Sequence, residues 1–228
     1  MEVFVDVLLQ LLQGFGVTLL LFAITLAFSL PLGLLISFGS MSKFKPLKLF
    51  CRGVIWVIRG TPLMLQILLV SFLPRYLFGI LTKDLAIFFG IKTNDLLFIF
   101  VCIAFIINYS CYFSEIFRSG IESISQGQHE AGKVLGMTKS QVFSKVVLMQ
   151  VVKRIIPPMS NEIITLVKDT ALAKVLGVLD LLNAANHAVN QYVILTPLLY
   201  AGLFYLLFNG LLTLLFGWME KKLSYYKV

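Results

Sequence analysis

Polar side chains inside long apolar stretches are the first place to look for chemistry in this sequence, since a charge at bilayer mid-depth costs roughly 2.5–3.5 kcal/mol even on lenient scales and usually faces the bundle interior. Gln66 stands among Leu and Ile. Asn108 breaks an apolar run together with Ser110, Tyr112 and Glu115, and Glu162, Lys168 and Asp169 crowd a short apolar stretch. Asn161, Thr165 and Lys168 fall at i, i+4 and i+7 and share one helix face, with Glu162 and Asp169 on the neighbouring stripe. A polar solute crossing such a bundle needs charged and hydrogen-bonding partners at membrane depth. Lys168 and Asn108 are the leading candidates for lining a solute path, with Gln66, Glu162 and Asp169 behind them. Each has a purely structural alternative: Lys168 paired with Asp169 or with Glu162 across subunits, and Asn108 bridging two helices. Tyr109, Tyr112 and the many Phe residues read as packing and interface anchors.

Other chemistry is missing. His129 and His187 fall on opposite sides of the topology derived below, and there is no paired-His zinc motif, no P-loop and no Gly-x-Ser-x-Gly elbow. Cys51, Cys102 and Cys111 lack metal-ligand spacing and do not form a disulfide framework. The chain is not expected to be an enzyme or to hold a metal or cofactor, so any nucleotide chemistry must come from a partner.

One polar island interrupts the apolar pattern. Residues 125–141 show signals for two short helices with a tight break: Ser125 and Gln128 at capping-box spacing, Gly136 as a left-handed stop, then Thr138 and Gln141 as a second capping box. Glu130 falls on a polar face, and Val134, Leu135 and Met137 lie at its end. Such a helix-turn-helix, standing out from a membrane domain, is suited to seating in a groove of a soluble partner.

These residues must be positioned by membrane helices. The chain is 59% hydrophobic and 13% charged, against about 45–50% and about 25% in soluble domains. The net charge of +8 does not indicate nucleic acid, because Lys and Arg sit in loops beside apolar spans. Val17–Phe38 fits a first span, and the acidic start at Glu2 and Asp6 does not read as a cleaved signal. The amphipathic stretch 47–58 begins the second helix or lies on the membrane surface; Arg59-Gly60-Thr61-Pro62 punctuates it, and residues 63–80 carry it across. Residues 82–95 are too polar to cross, 96–114 form a third span, a weak fourth lies at 155–167, and a fifth at about 196–219. Residues 171–191 read as short re-entrant or surface helices. With the N-terminus outside, the inner segments 43–59, 115–154 and 220–228 hold 14 basic residues and the outer segments hold 5. The positive-inside rule then places the C-terminus and the polar island in the cytoplasm. The expectation is one all-α membrane domain over residues 1–228, with five transmembrane helices and a cytoplasmic coupling helix between the third and fourth.

Several motifs in order carry a resemblance. Glu130-Ala131-Gly132 with Gly136 and Ile156-Pro157 resembles the EAA loop of the membrane subunits of bacterial ABC importers. Arg59-Gly60-Thr61-Pro62-Leu63, Ser114-Glu115-Ile116-Phe117-Arg118, and the run from Pro157 to Thr170 are similar to the polar amino-acid uptake branch, with its histidine, glutamine, arginine and cystine permeases. The chain departs from that pattern at Gly132, usually alanine, at Met149-Gln150, usually Pro-Gln, and in a bulky outer segment at 75–95. The resemblance implies a permease subunit in the bacterial cell membrane that carries a polar amino acid by alternating access. It implies a second permease subunit, two cytoplasmic ATPases that bind ATP and Mg, and an external solute-binding protein. Glu130, Ala131, Gly132, Leu135, Gly136 and Met137 are the implied ATPase-coupling residues. Related cargoes (an opine, ectoine or sulfur-containing amino acid) and an ATP-independent secondary transporter are the alternatives.

Overall fold

The computed structural model describes residues 2–223, and among these there is no strand. The first helix, α1 (Glu2–Ser40), runs without a break through Pro31. At 39 residues it is about 58 Å long, nearly twice the roughly 30 Å hydrocarbon core, so it extends well beyond the expected span 17–38. Its buried face is a stripe of small and polar residues, including Gly14, Thr18, Thr25, Ser29 and Gly33. Gly33 is required by close approach: a Cβ there would lie 2.9 Å from the Ser110 carbonyl oxygen and 3.0 Å from Phe113 Cβ. Small residues let two backbones meet where the hydrophobic effect cannot drive helices together.

Next come α2 (Lys45–Arg59) and α3 (Leu63–Phe78), bent by 108° at the intervening turn. Pro62 lacks an N–H and disfavours helical geometry at Thr61, so the chain must turn there. The expected punctuation of one helix is thus a sharp corner between two. A short helix, α4 (Thr82–Phe88), leads to α5 (Thr93–Glu122), the centre of the bundle, which packs on α1, α2, α3 and α4.

Beyond α5 lie α6 (Gln126–Val134) and α7 (Lys139–Val142), a π-helical turn at Phe143–Val147, and α8 (Leu148–Asp169). The weak stretch 155–167 is therefore the second half of a longer helix that carries Pro157 and Pro158 without ending. A 3-10 turn (Thr170–Leu176) leads to α9 (Leu181–Tyr192) and α10 (Thr196–Leu223). The short helices expected between 171 and 191 are present. Asp180, fully buried, caps α9 by accepting the Leu182 and Asn183 N–H groups at 3.1 and 3.2 Å, and Thr18 Oγ1 accepts the Leu181 N–H at 3.1 Å, which docks α9 onto α1.

By length and composition α1, α5 and α10 can each cross a membrane, and the bent pair α2–α3 qualifies when taken together. Leu35, Leu69, Phe72, Leu206, Leu207 and Leu214 stand exposed on α1, α3 and α10, a surface suited to lipid rather than water.

Candidate functional site

A cavity of about 390 Å³ opens where the α2–α3 corner, α5 and α8 meet. Thr61 and Pro62 from the corner, Asn108 and Tyr112 from α5, and Glu162 and Asp169 from α8 all line it. Asn108 Nδ2 donates to Gln66 Oε1 at 3.0 Å, and Tyr109 Oη donates to Asp169 Oδ2 at 2.7 Å. Gln66 Nε2 reaches the Ile58 carbonyl at 2.8 Å and Thr61 Oγ1 at 2.9 Å, tying α3 back to the end of α2. Gln66 is buried behind the wall and braces the corner, while Asn108 forms part of the wall itself.

Of the three candidates on α8, the cavity takes Glu162 and Asp169 but not Lys168. Glu162, Thr165 and Asp169, at i, i+3 and i+7, line the cavity, whereas Lys168 is exposed and lies outside the lining. Periodicity defines the stripes, but only packing decides which stripe turns inward. Two carboxylates and no cation line the cavity, with Arg59 within electrostatic reach of Glu162 and Lys168 of Asp169. Tyr109 and Tyr112, read above as packing anchors, are wall residues; Tyr109 is both buried core and hydrogen-bond donor. The available signal was spacing: Tyr112 lies four residues after Asn108, three after Tyr109 and three before Glu115, so it neighbours each of them on α5.

The polar island forms a compact handle at the far end of α5 and α8. Its second capping box is complete: the Thr138 N–H donates to Gln141 Oε1 at 2.8 Å and the Gln141 N–H to Thr138 Oγ1 at 3.3 Å. The first box does not form. Ser125 makes no side-chain cap, and Gln128 Oε1 instead accepts from Gln150 Nε2 on α8 at 3.3 Å. Gly136 takes φ +72°, with the Met137 N–H on the Gly132 carbonyl and the Gly136 N–H on the Lys133 carbonyl, both at 3.0 Å, a Schellman stop.

A small core of Ile124, Val142, Val147 and Val151, with Met137 and Ile155 against it, clamps the handle to both long helices. Glu130, Ala131, Val134, Leu135 and Gly136 face outward, with Val134 87% and Leu135 77% exposed. Gly132 and Met137 do not join that outer face: Gly132 is buried against Val142, and Met137 packs into the small core.

Residues 29–225 match the family described as the binding-protein-dependent transport system inner membrane component. The chain belongs to this family. The permease is 34% identical to the arginine transport system permease protein ArtQ of Bacillus subtilis over 94% of its own length and 92% of the relative's. It is also 34% identical to the L-cystine transport system permease protein TcyB of the same organism, covering 93% and 86% of the two chains. The crystal structure of an amino acid ABC transporter with histidines shares its fold at a TM-score of 0.79, with 29% identity and 96% of each chain covered. A methionine ABC transporter in an inward-facing conformation matches at a TM-score of 0.67 and 14% identity, a likeness of fold alone.

Proposed function

We propose that this permease subunit of an ATP-binding-cassette importer moves a polar amino acid across the bacterial cell membrane. It works as a dimer with a second permease copy or relative, two cytoplasmic ATPases that bind ATP and Mg, and an external solute-binding protein. In this reading residues 1–228 form one membrane domain with five spans. The corner-broken α2–α3 and the half-polar α8 supply the second and fourth, the N-terminus lies outside, and the handle 125–141 stands in the cytoplasm. The distribution of basic residues supports that orientation.

The observation that carries the proposal is that the helices forming the cavity walls also root the handle. The cavity takes Asn108 and Tyr112 from α5 and Glu162 and Asp169 from α8, and Ile124, Val147 and Val151 root the handle at the end of α5 and the start of α8. The exposed Val134–Leu135 tip and Glu130 seat in an ATPase groove. Closure of the ATPase pair then shifts α5 and α8 as rigid bodies and opens the cavity to the other side. Within the cavity the carboxylates of Glu162 and Asp169 receive the substrate's ammonium or side-chain cation, and the Asn108 amide orients it. Arginine and cystine, the cargoes named for two relatives, both carry such groups.

The test is reconstitution with the partner ATPases and binding protein, whose own ligand is measured by calorimetry. Glu130→Lys places a cation on the docking face and is expected to abolish cargo-stimulated ATP hydrolysis while the permease remains expressed and dimeric. Undiminished stimulation would defeat the assignment.

A further inference from the structure

A second cavity, of about 520 Å³, lies next to the first, and Tyr112 lines both. Along α5 the first cavity takes Asn108 and Tyr112, and the second takes Tyr112, Glu115 and Arg118, nearer the handle. At the α2–α3 corner Gly60 faces the second and Thr61 the first. The Arg59 guanidinium sits 5.1 Å from the Tyr112 ring centroid, so corner and ring together form a shelf between two chambers.

The charged residues that line the two chambers differ in sign, with Arg59 at the boundary within electrostatic reach of both Glu115 and Glu162. The first is lined by Glu162 and Asp169. The second is lined by Arg52, Arg59 and Arg118 against one carboxylate, Glu115. That carboxylate is already engaged: Arg118 Nε and Nη2 hold its two oxygens at 3.0 and 2.6 Å, and Arg59 Nη1 lies 3.7 Å away. Even with Glu122, which pairs with Arg118 Nη1 at 2.6 Å, the three guanidiniums keep an excess of one positive charge. Arg52 is within electrostatic reach of Glu115, but among the described residues it has no hydrogen bond and no ion pair. Arg52 is exposed, and an exposed guanidinium with no protein partner in an arginine-rich chamber can exchange water for a carboxylate bidentately.

We infer that the second chamber is an exit subsite that takes the carboxylate of the transported amino acid once it has passed the Arg59–Tyr112 shelf. The inference rests on the proposed function. A chamber lined by two carboxylates holds the cationic end of a zwitterion and repels its carboxylate. The adjoining basic chamber, on the handle side, offers that carboxylate its next partner. Arg52 is the specificity-determining residue, because the other two guanidiniums are shared with Glu115, Glu122 and Tyr112.

The complete transporter is reconstituted in phosphatidylcholine vesicles, which offer no anionic headgroup as a competitor. The ATPases face outward, and the binding protein and cargo are enclosed. The proteinogenic L-amino acids and L-cystine are screened as cargo by stimulated ATP hydrolysis. The cargo amino acid, or its decarboxylated amine (agmatine for arginine, cystamine for cystine), is then added on the ATPase side. The amino acid is expected to slow hydrolysis and the amine at equal concentration to leave it unchanged. Arg52→Gln should raise the half-inhibiting concentration about tenfold, the loss of one charge-assisted contact, and Arg52→Lys by less. Monodisperse elution of each variant reports folding. Equal inhibition by amino acid and amine, no inhibition by either, or an unchanged half-inhibiting concentration in Arg52→Gln overturns the exit subsite. A wild-type complex that no amino acid stimulates overturns the proposed function instead.

Discussion

Replacing Gly132 by alanine should destabilise the handle, although an alanine ordinarily strengthens a helix. Gly132 lies inside α6, where the Gly→Ala exchange alone is worth about 1 kcal/mol in favour of the variant. The structure reverses that sign. A Cβ at position 132 would lie 2.4 Å from Val142 Cγ2, 3.2 Å from Cγ1 and 3.4 Å from Cβ. Carbon atoms prefer about 3.5–4.0 Å, so the nearest pair overlaps by more than an ångström. Val142 is 3% exposed and held in the small core, and its short branched side chain has little room to rotate away. Overpacking of this kind costs about 1–3 kcal/mol, leaving a net loss of up to about 2 kcal/mol after the helix gain.

The Met137 amide, bonded to the Gly132 carbonyl across the Schellman stop, reports opening of the handle by hydrogen exchange. Exchange there should accelerate in Gly132→Ala, by up to about 30-fold if the full 2 kcal/mol is local. Val142→Ala alone costs about 1.5 kcal/mol from two lost methyl groups. The double variant should lose less than the sum of the singles, with a coupling of about 1–3 kcal/mol. Slower exchange in Gly132→Ala alone, or additive single effects, would refute the claim that Val142 occupies the space an alanine needs.

The remaining predictions concern the cavity. Asp169→Asn removes one of two lining carboxylates while keeping an acceptor for Tyr109; the cargo concentration for half-maximal stimulated hydrolysis should rise roughly tenfold, measured against wild type in the reconstituted complex. Lys168→Met should leave that concentration unchanged, since Lys168 is exposed and outside the lining; a rise would return Lys168 to the substrate path.

The membrane class, the handle and the polar positions were legible because each rests on local rules. Apolar runs of bilayer length, a Gly-ended helix and the Thr138–Gln141 box are encoded within a few neighbouring residues. The Ser125–Gln128 pair obeyed the same spacing, yet Ser125 makes no side-chain cap and Gln128 Oε1 accepts from Gln150, 22 residues away in sequence. Local chemistry cannot price a competing partner that folding brings close.

The sequence by itself determined which residues share a helix face, that residues 59–62 punctuate the second helix, and that a polar, capped element interrupts the spans. Tertiary packing decided which face turns inward. It set Glu162, Thr165 and Asp169 toward α5, turned Lys168 outward, moved Gln66 behind the wall, and made Tyr112 common to two chambers. The physical reason is that a helix's periodicity is a property of its own backbone. Its rotation about its axis is set by what it packs against, for α8 both α5 and α10.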